Sequence, residues 1–329
     1  MSWTAEPVTV RVPATSANLG PGFDSLGLAL TLYDDVTVTA TAEGLEIEIV
    51  GEGPELAGLG AEHLIVRVLR QAFDRIGTLA GVPLDQPGLR LHCVNRIPHS
   101  RGLGSSSAAI VAGIVAARAL HPCGAVLDDQ AALTLANEIE GHPDNVASCL
   151  AGGLTIAWLS GDHSEPRLVR LELQREVVVF VPDQRLATEG ARGLLPEAVS
   201  HKDAAANSGR AALLIAALTR DLGAEVLLAA TEDRLHQSYR APAMPDSAAL
   251  VARLRADGVP AVISGAGPAV LAFTSAERID SIAAELGTGW QRHPLNVDPQ
   301  GARVHAGAVP LRPGSAGSHS VDSVVDTRL

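Results

Sequence analysis

Aromatic residues are scarce in this chain. They make up 3% of its 329 residues, and the formal net charge of −12 shows that basic groups do not dominate either. Binding of nucleic acid depends on positive charge and on aromatic stacking. The sequence therefore predicts no nucleic-acid partner.

Long apolar runs and cysteines are also few. The most apolar run, residues 108–117, is too short to span a bilayer. The N-terminus shows neither the basic start nor the apolar stretch of a secretory signal. Cys93, Cys123 and Cys149 form no Cys-x-x-Cys pair, so we expect free thiols rather than disulfides or structural zinc. We expect a cytoplasmic protein without a membrane partner, and its length suggests about two domains.

Lysine is nearly absent, because Lys202 is the single one in the chain. A P-loop needs a lysine after its last glycine, whereas Ser105 follows Gly104 here. A dinucleotide-binding fingerprint places its glycines directly after a strand, but residues 95–101 separate Gly102 from the strand predicted at 89–94. Both common phosphate-binding loops are therefore excluded.

A glycine- and serine-rich segment is nevertheless present at residues 98–109, PHSRGLGSSSAA, before an alanine-rich run. Glycine adopts positive φ and lets the backbone approach a ligand. A serine before an apolar run predicts a helix N-cap. The unpaired N–H groups and the dipole of that helix end favour an anion. An ordinary capped turn is the alternative, but three consecutive serines favour the anion site because one hydroxyl suffices for a cap.

This segment resembles the phosphate loop of the GHMP small-molecule kinases. The resemblance implies that its residues bind ATP: Pro98, Ser100, Arg101, Gly102, Leu103, Gly104, Ser105, Ser106, Ser107 and Ala108.

Two further segments resemble the signatures of the homoserine kinases within that family. Residues 13–27, PATSANLGPGFDSLG, imply that Asn18 and Asp24 contact an amino-acid substrate. Residues 140–146, EGHPDNV, imply that His142 and Asn145 line the same pocket. The alternative interpretations are turn-forming residues in the first segment, and in the second a helix stop followed by a new N-cap at Asp144.

The magnesium ligands implied by the resemblance are Glu140 and Ser106. Mg²⁺ takes hard oxygen ligands, typically one or two from the protein and the rest from phosphate and water. Asn145, Ser106 and Glu140 are accordingly the predicted catalytic residues. The general base is left open: mevalonate kinases carry a basic Asp at the position of Asp144, with a Lys that this chain lacks.

The C-terminal half carries the predicted carboxylate clamp. Thr188 with Arg192, and Arg240 at the end of QSYR, match family patterns whose arginines hold the substrate carboxylate. Arginine offers bidentate geometry for that purpose, although either residue taken alone reads as a solvated surface charge. Gly265 belongs to a Gly-Ala-Gly-Pro turn that resembles the third GHMP motif. The family places its adenine pocket near His63, usually with an Asn there, so His63 could equally be a capping or surface residue.

The resemblance covers roughly residues 8–310 and implies an α+β fold. A domain like ribosomal protein S5 domain 2 would occupy residues 1–165, a ferredoxin-like α/β sandwich 166–310, and a disordered tail 311–329. The implied reaction is phosphorylation of L-homoserine by ATP with Mg²⁺. Another GHMP kinase and a non-catalytic member of the fold are the alternatives, and a homodimer is among the open options for the oligomeric state.

Secondary structure follows from the spacing of apolar residues. Separate strands are predicted at 26–32 and 36–41, with a turn at Asp34 and Asp35. The polar segment 160–167 is predicted to cross between the domains.

Overall fold

The computed structural model describes residues 2–82, 84–161, 165–186, 188–220, 222–282 and 289–305. The tail predicted at 311–329 lies outside the described residues. The strands are β1 Val8–Ala17, β2 Leu26–Thr41, β3 Leu45–Gly51, β4 Gly88–Asn95, β5 Leu154–Ser160, β6 Glu165–Leu171, β7 Glu176–Pro182, β8 Ala261–Ile263, β9 Val270–Ala272, β10 Trp290–Asn296 and β11 Arg303–His305. The helices are α1 Leu64–Ala80, α2 Ser105–Leu120, α3 Asp129–Glu140, α4 Pro143–Ala151, α5 Thr188–Arg192, α6 His201–Thr219, α7 Ala224–Ala230, α8 Gln237–Arg240, α9 Pro245–Ala256 and α10 Ala276–Ile282.

Two sheets organise the chain. A 7-stranded sheet has the order β11-β1-β2-β4-β3, with β5 on β2 and β6 on β5, and a 4-stranded sheet has the order β10-β7-β9-β8. The predicted crossing at 160–167 is wrong for the residues of this segment that the structure describes, because Ser160 pairs with Glu165 and residues 165–167 belong to β6 of the first sheet. Strand pairing therefore carries the first sheet to Leu171, past the boundary expected at 165, and the chain returns to this sheet at β11.

The predicted turn at Asp34 and Asp35 is also wrong, since β2 runs through both residues as one strand of 16 residues. Asp35 accepts two hydrogen bonds from Arg11 on the neighbouring strand, at 2.7 and 3.0 Å. Asp34 accepts the backbone N–H groups of Arg96 and Ile97, at 2.6 and 2.9 Å. The two carboxylates are thus satisfied across the sheet rather than within a local turn.

Helix α2 is the buried element that positions the site. It packs against α1, α3 and α4 and against β1, and most of its alanines and branched residues are buried. A helix that is apolar on nearly every side is buried in this way. Among the described residues, no helix has the length and apolar character needed to cross a bilayer.

Candidate active site

The glycine loop leads from β4 to the first turn of α2. Gly102 and Gly104 both have positive φ, at 76° and 68°. A Cβ on Gly102 would lie 2.2 Å from the carbonyl oxygen of Ser264, and one on Gly104 would lie 1.9 Å from Thr15 Oγ1. Both glycines are therefore required by conformation and by close approach.

The predicted serine N-cap is wrong, because Gly104 is the N-cap of α2 and makes no side-chain cap bond. Ser105, Ser106 and Ser107 instead form the first turn of the helix. Backbone N–H groups in a first helical turn have no partner inside the helix. These N–H groups are the feature on which the anion site predicted from the sequence depends.

The serine hydroxyls contact Glu140 at the C-terminus of α3. Ser106 Oγ and Ser107 Oγ donate to Glu140 Oε1 at 2.9 and 2.7 Å. The described residues contain no group of three or more His, Cys, Asp or Glu that could hold a metal. A hydroxyl beside a single carboxylate fits the sparse protein contribution that Mg²⁺ takes when phosphates and water supply the rest.

A cavity of about 150 Å³ joins this helix end to the C-terminal half of the chain. All the predicted substrate-binding residues except Thr188 line it: Asn18, Asp24, His142, Asn145, Arg192, Arg240 and Gly265. Thr188 begins α5, and its side chain lies outside what the structure describes. A larger groove of about 1010 Å³, between α2, α3, β5 and β11, contains none of these residues.

Arg101 is the loop residue whose side chain turns away from this cavity. Its guanidinium donates to the carbonyl oxygens of His99, Pro182 and Asp183, at 2.9–3.2 Å. The side chain therefore ties the loop to the end of β7, and a nucleotide contact of Arg101 would come from its backbone. Pro98 is buried, and Ala108 lines a neighbouring cavity described below.

Asn18 links the N-terminal loop to the Gly265 turn. Its Nδ2 donates to Gly265 O at 2.9 Å, and its Oδ1 accepts the N–H of Asp24 at 2.9 Å. Asp24 in turn accepts two hydrogen bonds from Arg192, at 2.9 Å each. Asn18 thus both shapes the loop, as the turn interpretation predicts, and fixes the backbone of Asp24 at the cavity.

Arg240 differs from Arg192 in its surroundings. It is 2% exposed, its Nε donates to Ala191 O at 3.2 Å, and its Nη1 lies 3.2 Å from His236 Nδ1. Among the described residues it has no carboxylate partner in hydrogen-bond range. Burial, with the charge of Arg192, lowers the pKa of Arg240. Burying a guanidinium without a carboxylate partner costs free energy, and a bound anion would offset that cost.

His236 is a site residue that the sequence analysis missed. Its Nε2 lies 2.9 Å from Gly20 O, a carbonyl that can only accept, so Nε2 carries the proton and Nδ1 accepts from Arg240. Burial lowers the pKa of His236 and keeps it neutral. The ring of Phe23 stacks on His236 and faces both arginines, with its centroid 5.4 Å from Arg240 Cζ. The i, i+4 spacing of His236 and Arg240 was the available signal.

His142 and Asp144 form a hydrogen-bonded pair on the other side of the cavity. His142 Nδ1 lies 2.9 Å from Asp144 Oδ1, which also accepts the N–H of Asn145 at 2.8 Å. Burial works to lower the pKa of His142, but the hydrogen bond and charge of Asp144 outweigh it and raise this pKa. Asn145 Oδ1 accepts from Thr15 at 2.8 Å. Asp144 Oδ1 is therefore already engaged in hydrogen bonds with His142 and with the N–H of Asn145.

A second cavity of about 280 Å³ adjoins the loop through Ser105 and Ser106. His63 lines it at 5% exposure, and its Nδ1 is buried without a hydrogen-bond partner. His63 is the N-cap residue of α1, as the capping interpretation has it, although its side chain makes no cap hydrogen bond. The surface interpretation is wrong, because the side chain is buried. Burial lowers its pKa, with a contribution from His99. This is the region where the family resemblance places the adenine base.

Comparisons with known proteins show the family to which the chain is similar. The family described as GHMP kinases N terminal domain matches residues 63–153, and GHMP kinases C terminal matches 213–291. A homoserine kinase of Streptomyces coelicolor is 59% identical over 306 residues, which cover 92% of this chain and 96% of the relative. One of Clavibacter michiganensis is 48% identical over 307 residues, covering 92% and 95%. The crystal structure of homoserine kinase from Cytophaga hutchinsonii, 24% identical, has a TM-score of 0.73 and covers 91% of this chain and 97% of its own.

Proposed function

The chain belongs to the homoserine kinases of the GHMP kinase family, and on that premise we propose how its site residues share the work. It has the α+β GHMP kinase fold and phosphorylates L-homoserine with ATP, giving O-phospho-L-homoserine for threonine biosynthesis.

Arg240 is the anchor for the substrate carboxylate. Arg240 is 2% exposed and lines a cavity that it shares with the phosphate loop. Its guanidinium contacts carbonyl and imidazole atoms of the protein, and this observation carries the assignment. An incoming carboxylate supplies the missing countercharge. Arg192 adds a second cation beside it, and Asp24 is the acid that faces the substrate ammonium group.

The N-terminal turn of α2 receives the phosphates of ATP. The backbone N–H groups of Ser105, Ser106 and Ser107 and the helix dipole favour their negative charge. Ser106 and Glu140 would hold Mg²⁺, which when bound neutralises phosphate charge during transfer. The cavity of about 280 Å³ at His63 takes the adenine.

No strong carboxylate base is needed in this scheme. Asp144 is 2% exposed and its Oδ1 is already engaged by His142 and the N–H of Asn145. Phosphoryl transfer depends mainly on positioning and on charge stabilisation. We therefore assign the hydroxyl proton to the phosphate oxygens, and Asn145 to orienting the reacting groups from the cavity wall.

A coupled ADP-release assay tests the substrate assignment. The enzyme is offered homoserine, mevalonate, galactose and shikimate at equal concentrations with MgATP. Turnover restricted to homoserine is the expected result, and preferred turnover of any of the other three would overturn the assignment. Equilibrium dialysis with Mg²⁺ and a non-hydrolysable ATP analogue, for wild type and Glu140→Gln, tests the metal site separately. The cytoplasmic location and a homodimer stay predictions.

A further inference from the structure

A carboxylate and an imidazole line the cavity of about 280 Å³ that adjoins the phosphate loop. They belong to Asp34, which is 6% exposed, and to His63, which is 5% exposed. Apolar side chains such as Val12, Val36 and Leu59 make up much of the remaining wall. Buried polar groups normally have hydrogen-bond partners, so a polar atom without one in a cavity wall indicates a ligand.

Each of these two side chains has an atom without a protein partner. Asp34 Oδ1 accepts the N–H groups of Arg96 and Ile97, at 2.6 and 2.9 Å, whereas Asp34 Oδ2 has no hydrogen-bond partner among the described residues. His63 Nδ1 is buried and also lacks a partner. Because the backbone holds the carboxylate through Oδ1, Oδ2 is the oxygen left for a ligand.

The two groups differ in what they can recognise. A neutral imidazole nitrogen either donates or accepts, so His63 does not determine the chemistry of its partner. Burial raises the pKa of Asp34 to about 6, which leaves the carboxylate ionised at neutral pH. An ionised carboxylate only accepts hydrogen bonds. Asp34 Oδ2 therefore requires a donor on the ligand and repels a carbonyl oxygen.

The group at C6 of a purine is either a donor or an acceptor. Adenine has an amino group there, whereas guanine and hypoxanthine have a carbonyl oxygen. The cavity adjoins Ser105 and Ser106, so the base of a nucleotide whose phosphates lie at that helix end can reach it. A site built to hydrogen-bond one group strongly rejects an analogue that lacks it.

We propose that Asp34 selects adenine nucleotides, through a hydrogen bond from the 6-amino group of the base to Asp34 Oδ2. A purine with an oxygen at C6 places two acceptors against each other in a buried cavity. The inference rests on the proposed function, because it assumes that this cavity takes the base. The choice of nucleotide is then made on strand β2, outside the loop that binds the phosphates.

The experiment measures kcat/KM with ATP and with inosine triphosphate, for wild type and Asp34→Asn, at about pH 8 and saturating homoserine. In the variant, the amide oxygen keeps the bonds from Arg96 and Ile97, and the amide NH₂ takes the place of Oδ2. An acceptor thus becomes a donor. The kcat/KM should fall at least about tenfold with ATP and rise with inosine triphosphate, so their ratio should fall at least about 30-fold. The KM for homoserine should change little.

Two further variants serve as controls. Asp35→Asn makes the same chemical change at the next residue of β2, whose carboxylate bonds to Arg11 and Arg96 and does not line the cavity. It should leave the ratio unchanged. Leu59 lines the cavity and is 49% exposed, so Leu59→Trp crowds the cavity without disturbing the core. This variant should raise the KM for both nucleotides.

The outcomes separate the possible failures. If the ratio is unchanged in Asp34→Asn while Leu59→Trp raises both KM values, the base lies in the cavity but Asp34 does not select it, and the inference is wrong. If Asp34→Asn loses activity equally with both nucleotides, Asp34 only supports the segment at Arg96 and Ile97, and the inference is again wrong. If neither variant changes any nucleotide constant, the cavity does not take the base, and that part of the proposed function fails.

Discussion

Replacing Arg240 by alanine is the sharpest test of the substrate anchor, because the structure makes the two clamp arginines unequal. Arg240 is 2% exposed and has no carboxylate partner among the described residues. The side chain of Arg192 is 43% exposed and is paired with Asp24. The sequence motifs give both residues the same predicted role. Their surroundings in the structure predict different losses of homoserine affinity when each is replaced by alanine.

The magnitudes follow from burial. Leaving half of a buried charge pair costs about 2–5 kcal/mol, which is about 30-fold to several thousand-fold in affinity. An exposed pair is worth about 1 kcal/mol or less, roughly fivefold. Arg240→Ala should therefore raise the KM for homoserine at least about 30-fold, and Arg192→Ala roughly fivefold. The KM for ATP should change little in either variant, and Arg240→Lys should recover only part of the loss because an ammonium cannot form the fork.

The assay is a double comparison by steady-state kinetics. Wild type and Arg240→Ala are each tested with homoserine and with 3-aminopropanol, which lacks the carboxylate. If Arg240 and the carboxylate meet, the variant discriminates between the two substrates much less than the wild type does. Strictly additive losses would refute the contact. Thermal unfolding of the variant controls for stability, since Arg240 also bonds to Ala191 and lies beside the Gly265 turn.

Three other substitutions test separate parts of the structure. Glu140→Gln keeps the shape but removes a charge, so kcat should fall about 10²–10³-fold; wild-type turnover at saturating Mg²⁺ would remove Glu140 from the site. Gly104→Ala places a Cβ 1.9 Å from Thr15 Oγ1, at a residue whose φ is 68°. The variant should therefore lose affinity for ATP and unfold at a lower temperature. Unchanged ATP binding by calorimetry would contradict the loop assignment. Burial raises the pKa of Asp34 from 3.8 to about 6, so the stability of the wild type should fall as pH rises from about 4 to 6. Asp34→Asn should not show this fall. At pH 7 the variant should be more stable than the wild type by at most about 3 kcal/mol. Urea unfolding at pH 4.5 and 7 checks the last case, and an equal difference between the two proteins at both pH values would show that Asp34 does not titrate in this range.

The sequence predicted much of the site because its motifs are local. A few consecutive residues suffice to recognise the glycine loop at Gly102 and Gly104, and the same holds for the segment that begins at Glu140. The structure brings both segments to one cavity. The serine cap was wrong for a local reason: the N-cap position falls on Gly104, whose φ of 68° suits glycine, and the three serines form the first turn of the helix.

The long-range contacts could not be read from the sequence. Asp34 looks like a turn former, yet its partners Arg96 and Ile97 lie 62 and 63 residues away. The difference between Arg192 and Arg240 depends on which one meets Asp24 and which one lies under His236. Tertiary packing determines these long-range pairings, and the local sequence does not predict them.

The return of the chain to the first sheet has a consequence for its biosynthesis. Strand β11 covers one edge of β1, pairing Thr9 with His305 and Arg11 with Arg303. On the ribosome, the nucleotide-binding half can therefore complete its strand order only after residue 305 has emerged, long after β1 was made. Until then the N–H and C=O groups along that edge of β1 are open to pairing with another nascent chain. The last strand of the described residues thus covers an edge of the first strand, and protects that edge only once synthesis is nearly finished.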